Sequence, residues 1–488
     1  MDELPQGWVN CTIGDITAPI STIDQRSAPE RVISYIDISG IDNATNRIAE
    51  TKPYLLKEAP SRARQIVHSG DTVFSTVRPY LRNIAQVPDA LDGEIASTGF
   101  SVLRPAPGLD ARLLFFKATS QPFVDALTRI QYGASYPAVK DEQVRAQPFA
   151  LPPLAEQERI VEKIETLFAE IDKGEEALRA VRKLLARYRQ SVLKAAVTGA
   201  LTADWRAANG QPTETGQDLL TRILKHRRET WQGRGRYVEP AAPNCDGLPD
   251  LPDGWAWASV EQLALVIGGL TKNGKRSEMS LTRPMLRVAN VYQNRLELDD
   301  VHFTGITERE LDRVLLVEGD LLVVEGNGSK DQIGRMAIWR DEIPGAVHQN
   351  HLIKIRMSDT TTSSFAMRWF ESPLGRQAIE RVAASTSGLY TLSISKIESL
   401  VVPLPGMTEL QKIVEDIDEA FAKIELIEKW SLAELKRSAA LRQSILKDAF
   451  AGKLVPQDPA DEPAADLLAR IRATPAAAPR RTRRTAMA

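Results

Sequence analysis

Six short segments collect side chains suited to gripping a polar ligand rather than transforming one. Residues 75–83 carry Thr76, Arg78, Tyr80, Arg82 and Asn83 directly after a strand-like run. Residues 131–136 add Gln131, Tyr132, Ser135 and Tyr136. Residues 268–276 form a glycine-rich basic loop with Thr271, Lys272, Asn273, Lys275 and Arg276. Residues 325–330 hold Asn327, Ser329 and Lys330, and Arg335 follows. Gln349, Asn350 and His351 make a fifth group, and residues 385–390, with Ser387 and Tyr390, a sixth. Arg matches the hydrogen-bonding edge of guanine in the major groove, and Asn or Gln that of adenine. Lys, Ser and Thr suit phosphate oxygens. Any one of these residues could equally be an ordinary turn or strand end.

No catalytic constellation accompanies them. The phosphate-cradling G-x-x-x-x-G-K-[ST] loop is missing. So is the Asx-Pro-Pro-aromatic motif of amino-methyltransferases. Pro88-Asp89 followed by Glu94-Ile95-Ala96 approaches a P-D…E-x-K nuclease pattern but lacks the lysine. His348 and His351 stand three apart with no third ligand in reach. Cys11 and Cys245 are too few for a disulfide framework or a zinc site. The expectation is a non-catalytic chain with no metal and no cofactor of its own.

The elements that must position these segments come in two copies. Residues 189–201 read RQSVLKAAVTGAL and residues 442–454 read RQSILKDAFAGKL, eight identities in thirteen at a shift of 253. Each copy opens with L-P-x-G-W, at Leu4 to Trp8 and Leu251 to Trp255. Short amphipathic pieces follow at residues 13–16 and 260–263, then strand-like alternation at 32–38 and 285–291. A Gly-Asp turn leads into a strand at Gly70-Asp71 and again at Gly319-Asp320, and a strand ends in Arg104 and in Arg356. Helical stretches are expected at 111–129 and 363–383. About 150 residues per copy thus read as mixed strand and helix, an α+β pattern.

Each copy then turns helical behind a proline stop, Pro152-Pro153 and Pro403 with Pro405. Ile160, Ile164, Leu167, Ile171, Leu178, Val181, Leu185, Tyr188 and Val192 define one apolar stripe. Ile413, Ile417, Phe421, Ile424, Ile427, Leu435, Leu441, Ile445 and Ala449 define the other. Gly199 and Gly452 end the helices at matching places. About 40 residues make each helix about 60 Å long. A lone striped helix of that length needs a partner, and antiparallel pairing of the two copies, with a globular domain at each end, supplies one. A short echo follows each helix, at residues 218–223 and 466–471.

A chain of 488 residues exceeds one hydrophobic core, so about three to four domains are expected. The longest apolar run is far short of the roughly 18 residues that span a bilayer, and the N-terminus has no signal pattern. No membrane partner and a cytoplasmic location follow as expectations. The net charge is −2, yet residues 173–236 hold fourteen Lys/Arg against six Asp/Glu. The tail adds Arg480, Arg481, Arg483 and Arg484. Such stretches suit phosphate contact or a solvated helix face.

Two modules sharing a frame but carrying different contact loops should read different sequences. With L-P-x-G-W at both module starts, L-P-P-L-A-E-Q-E-R-I-V at 151–161, P-L-P-G-M-T-E-L-Q-K-I-V at 403–414 and the R-Q-S-[VI]-L-K repeats, the chain resembles the specificity subunit of type I restriction–modification systems. The resemblance covers nearly the whole chain. It implies target-recognition domains at residues 1–150 and 251–404, spacer helices at 151–200 and 405–455, a linker with a short helix at 201–250, and a partly disordered tail at 456–488. It implies double-stranded DNA with a split recognition site as ligand, and two methyltransferase subunits and restriction/translocase subunits as partners. S-adenosylmethionine, ATP and Mg are then expected on those partners. The alternatives are a specificity subunit of a related phage-defence methylation system and a coiled-coil protein scaffold.

Overall fold

The computed structural model describes residues 4–133, 135–210, 212–231, 235–386 and 388–473. The chain forms two compact units: Met1–Arg179 with Leu432–Ala488, and Ala180–Ser431. The first long helix, Leu154–Val197, and the second, Met407–Phe450, each contribute one part to each unit. Ser387 and the arginines of the tail lie outside the described residues.

In the first unit, Val9–Thr12 pairs antiparallel with Pro148–Leu151 and ties the module's two ends together. Two four-stranded sheets lie between these ends. One is antiparallel: Thr17–Ala18, Phe100–Pro105, Thr72–Ser75 and Ile84–Gln86. The other is mixed, with Val32–Ile36 running parallel to Ile95–Ser97. The second unit repeats this plan. Ala256–Ser259 closes on Val401–Leu404, and Ala264–Gly268, Leu352–Met357, Leu321–Val324 and Met336–Ile338 form the antiparallel sheet. Its mixed sheet has three strands, and the helix Glu308–Val314 precedes an isolated bridge from Leu315 to Val347.

The reason for the repeated Gly-Asp turn and strand-end arginine is now visible. Arg104 grips Asp71 with Nη2 at 2.7 Å and Nε at 3.1 Å. Arg356 grips Asp320 with Nη2 at 2.7 Å and Nε at 2.8 Å. Both aspartates are buried, so each charge needs its bidentate partner to remain there. The strand expected at 285–291 is instead Thr282–Leu286; residues Val288–Asn290 form a tight turn, in which Asn290 accepts the Arg287 amide. The two expected helical stretches are helix pairs. They break at Ser120 and at Ser372, where a proline at the start of the following helix cannot continue the preceding one.

The long helices run antiparallel within each unit. In the first, Ile160, Val161 and Ile164 pack with Ile445, Leu446 and Ala449 around Trp8, Phe149 and Leu151. Arg442 stacks over Phe168 and pairs with Asp172 at 2.7 Å. In the second, Val192, Leu193 and Ala196 pack with Ile413, Ile417, Phe421 and Ile424 around Trp255 and Phe365. Each buried Leu or Ile contributes about 1.5–3 kcal/mol. Away from these cores the stripe opens. Leu167 and Ile171 still pack half-buried on the first core and Leu185 on the second; Leu178 and Leu435 are half-buried, while Tyr188, Ile427 and Leu441 are exposed, against expectation. A two-helix seam covers a and d positions only, and among the described residues these flank positions stay exposed.

The short echoes are helices with equivalent tasks. Gly216–Glu229 buries Leu219, Leu220 and Ile223 in the second unit's core. Ala464–Ala473 buries Ala464, Leu467 and Leu468 in the first unit's. Residues 464–473, which contain the second echo, are therefore part of the first unit's fold.

Candidate nucleic-acid interface

In the first unit the central strand Thr72–Ser75 delivers the first cluster, and a second segment returns beside it. Val77 and Tyr132 both form β-bridges to Ala138. The Arg78 amide donates to Pro137 O at 2.7 Å, and the Val139 amide to Thr76 O at 2.9 Å. Residues 75–83 and 131–136 thus meet at one sheet end. Thr76 donates its hydroxyl to Gly99 O, which turns it inward. Arg78 lies over the Tyr136 ring at 5.2 Å. Tyr136 is 74% exposed, and Tyr132, Tyr80 and Ser135 are exposed with it. Gln131 is half-buried, and its carbonyl oxygen has no partner among the described residues.

Arg82 has other work, and Asn83 is fixed through its backbone. Arg82 donates to Gln121 Oε1 at 2.6 Å and to Thr119 O, and burial lowers its pKa. Asn83 lends its carbonyl to the Ser75 amide at 3.0 Å. Arg82 braces the helix break at Ser120 and is half-buried.

In the second unit all four clusters converge. Leu270 bridges to Gln349, and the Asn350 amide donates to Leu270 O at 2.9 Å. This approach is why residue 269 is glycine: a Cβ there would stand 2.3 Å from Gln349 O. Gly326–Asn327 pairs antiparallel with Leu389–Thr391, placing Asn327 opposite Tyr390. His351 reaches Glu325 at 3.2 Å. Thr271, Lys272, Asn273, Lys275, Ser329 and Lys330 are exposed, and Gln349, Asn350, Asn327 and Tyr390 are half-buried. Lys330 stands 3.4 Å from Glu380.

Two arginines of this set are structural. Arg276 pairs with Glu310 at 2.8 Å and donates to Thr271 O and Gly305 O. That pairing, with the Thr307 amide, pulls the Glu310 carboxyl down to about 2. Arg335 donates to Val291 O at 2.8 Å and Val288 O at 3.1 Å. Within the basic stretch, Arg206, Arg222, Arg227 and Arg228 also bind protein groups, while Arg182, Lys183, Arg187 and Lys194 lie exposed on the first long helix.

The two histidines sit in different surroundings. His348 is buried, with Nδ1 2.8 Å from Leu352 O, and burial pushes its pKa down to about 3. No group of three or more His, Cys, Asp or Glu among the described residues could hold a metal ion. No helix among them is long and apolar enough to cross a membrane.

One buried contact was hidden in the sequence. Trp8 Nε1 donates to Glu156 Oε2 at 2.9 Å, and Trp255 Nε1 to Glu409 Oε2 at 2.9 Å. The tryptophan of each L-P-x-G-W thus caps onto the first turn of its own copy's long helix. The separations, 148 and 154 residues, differ, so the repeat shift alone does not pair them.

The profile of the type I restriction modification DNA specificity domain matches residues 5–178. The type I restriction enzyme EcoKI specificity subunit of Escherichia coli K12 is 27% identical over 97% of both chains. The StySPI specificity subunit of Salmonella potsdam is 24% identical over 96% of both. End to end, the chain resembles type I specificity subunits. The HsdS subunit from Thermoanaerobacter tengcongensis, 24% identical, superposes with a TM-score of 0.54 over 92% of this chain and 98% of that one. A chain solved in work on complex assembly and conformational transition of the type I R-M system, also 24% identical, gives 0.64 over 93% and 100%. These two likenesses show the specificity-subunit fold: paired α+β modules with two long antiparallel helices.

Proposed function

We propose that this chain is the sequence-specific DNA-binding specificity subunit of a type I restriction–modification complex. Each recognition module reads one half of a split DNA site, and the long helices dock methyltransferase and restriction subunits. The observation that carries the reading is the combination of whole-length likeness to specificity subunits with a duplication whose frame repeats while its contact loops do not. Each set of loops emerges from the equivalent sheet end of its own unit and combines amides, hydroxyls and cations with tyrosine, exposed in the first unit and half-buried in the second. Such groups position phosphates and read base edges.

On this reading the chain itself is non-catalytic. S-adenosylmethionine for adenine methylation, and ATP and Mg for restriction, would be held by the partner subunits. The exposed cations of the first long helix would add sequence-independent, salt-sensitive affinity. Methylome sequencing with and without the gene tests the proposal. The expected outcome is a split adenine-methylation motif that vanishes on deletion; an unchanged methylome rejects it. Co-purification with an ATP-dependent restriction subunit separates this reading from a methylation-only defence system.

A further inference from the structure

The two modules share a common register counted from their buried aspartates. Asp71 and Asp320, each held by a strand-end arginine, lie at the start of the central strand. Thr76 and Glu325 are each five residues further on, and each accepts the equivalent amide of the returning segment: Val139 N–H to Thr76 O at 2.9 Å, Leu392 N–H to Glu325 O at 2.8 Å. The next position pairs Val77 with Ala138 and Gly326 with Thr391. Seven residues beyond the aspartate, the frame therefore places Arg78 in one module and Asn327 in the other.

These side chains are the ones whose hydrogen-bonding pattern fits a single base. The Arg78 guanidinium offers paired donors that match guanine O6 and N7, and the Asn327 carboxamide offers the donor and acceptor that match adenine N7 and N6. Both are held in place without being used up. Arg78 stacks on Tyr136, and among the described residues its side chain donates only to Ser135 O, at 3.3 Å, and has no carboxylate partner. Its Nε is buried with no partner, and its backbone is left-handed (φ 49°, ψ 63°), which is uncommon for a non-glycine residue and recurs at binding sites. Arg82, the other arginine of this segment, is fully engaged with the protein. Asn327 accepts the Ser329 amide at 2.9 Å, which orients the carboxamide and leaves a second lone pair on Oδ1.

We propose that this frame position reads one base pair in each module. Arg78 addresses the guanine of a G·C pair in one half-site, and Asn327 the adenine of an A·T pair in the other. The inference rests on the split-site reading above. It goes further by assigning one position, and one base pair, to each module.

The test is selection from a library of randomised double-stranded oligonucleotides by the full chain co-purified with its methyltransferase partner. Wild type is expected to enrich a split motif. R78A should relax one G·C position of one half-site, lowering discrimination there by about 5- to 150-fold, and keep every other position. R78K, which retains the charge but not the fork, should relax the same position. N327A should relax one A·T position in the other half-site. An unchanged motif in R78A and R78K, or a uniform loss of enrichment across all sequences, overturns the proposal, the latter because it marks a phosphate contact. Loss of an entire half-site in R78A would report a damaged module, and R78K then decides. If wild type enriches no split motif, the underlying reading fails instead, whatever the variants do.

Discussion

At the residue scale, the two units share a buried indole–carboxylate contact but surround it differently. The hydrogen-bond partners of Glu156 are neutral, Trp8 and Gln457 at 3.1 Å, with the charges of Arg159 and Asp461 nearby acting in opposite directions. Burial pushes its carboxyl up. A raised acid holds its proton better folded than unfolded, so its ionisation costs stability as pH rises past the ordinary carboxylate range. Glu409 instead meets Arg206 and the Thr202 hydroxyl. Glu156→Gln should therefore leave urea-unfolding stability unchanged or slightly raised at neutral pH. Glu409→Gln should cost about 1–3 kcal/mol, because it strips a part-buried guanidinium of its carboxylate. Equal effects in the two variants would refute this account. His348 carries a second prediction. Its folded pKa of about 3 lies below the ordinary 6.5, so the unfolded chain binds the proton first and stability is lost as pH falls from 6.5 towards 3. His348→Asn keeps a donor near Leu352 O but cannot titrate. Its melting temperature should fall less across that interval than wild type's.

At the scale of elements, the helix ends are more constrained than a stop signal requires. Gly199 and Gly452 both have left-handed φ, +72° and +66°, and close the last helical turn. A Cβ at Gly199 would stand 2.4 Å from Pro252 Cγ, and one at Gly452 2.3 Å from Pro5 Cγ. These prolines belong to the two L-P-x-G-W motifs, so the repeated glycine and the repeated motif are one packing feature read twice. Gly199→Ala and Gly452→Ala should each lose at least about 1–2 kcal/mol from left-handed strain alone, and more from the contact. Calorimetry should show both melting early, and an unaffected midpoint would mean that the proline yields freely. The middle of the helix seam behaves otherwise. Exposed Tyr188, Ile427 and Leu441 sit where periodicity expects core, because periodicity reports which face is apolar and not whether anything covers it.

For the whole molecule, the duplication predicts modular specificity. Replacing residues 1–150 with the first module of another specificity subunit should change one half of the methylation motif and leave the other intact; a change in both halves would deny that the modules act independently. Helix length carries a further expectation. Each long helix has 44 residues, about 66 Å at ~1.5 Å per residue. Four added residues extend one by about 6 Å, and the preferred unread spacer should lengthen with it. An unchanged spacer in single-molecule methylation maps would sink that idea.

The linear pattern sufficed for the repeat, the α+β modules, the long helices and their end points, since periodicity, glycine and proline act locally. The contact clusters were also legible as types of side chain. Their sorting was not. Arg78 stays available while Arg82, Arg276 and Arg335 brace carbonyls and a carboxylate, and nothing in the local sequence separates these four. The pairing of Trp8 with Glu156 and the docking of residues 464–473 were equally invisible, because both depend on segments over a hundred residues apart meeting in one core. Only tertiary structure decides which polar groups find partners, since a buried donor takes whichever acceptor the fold brings within reach.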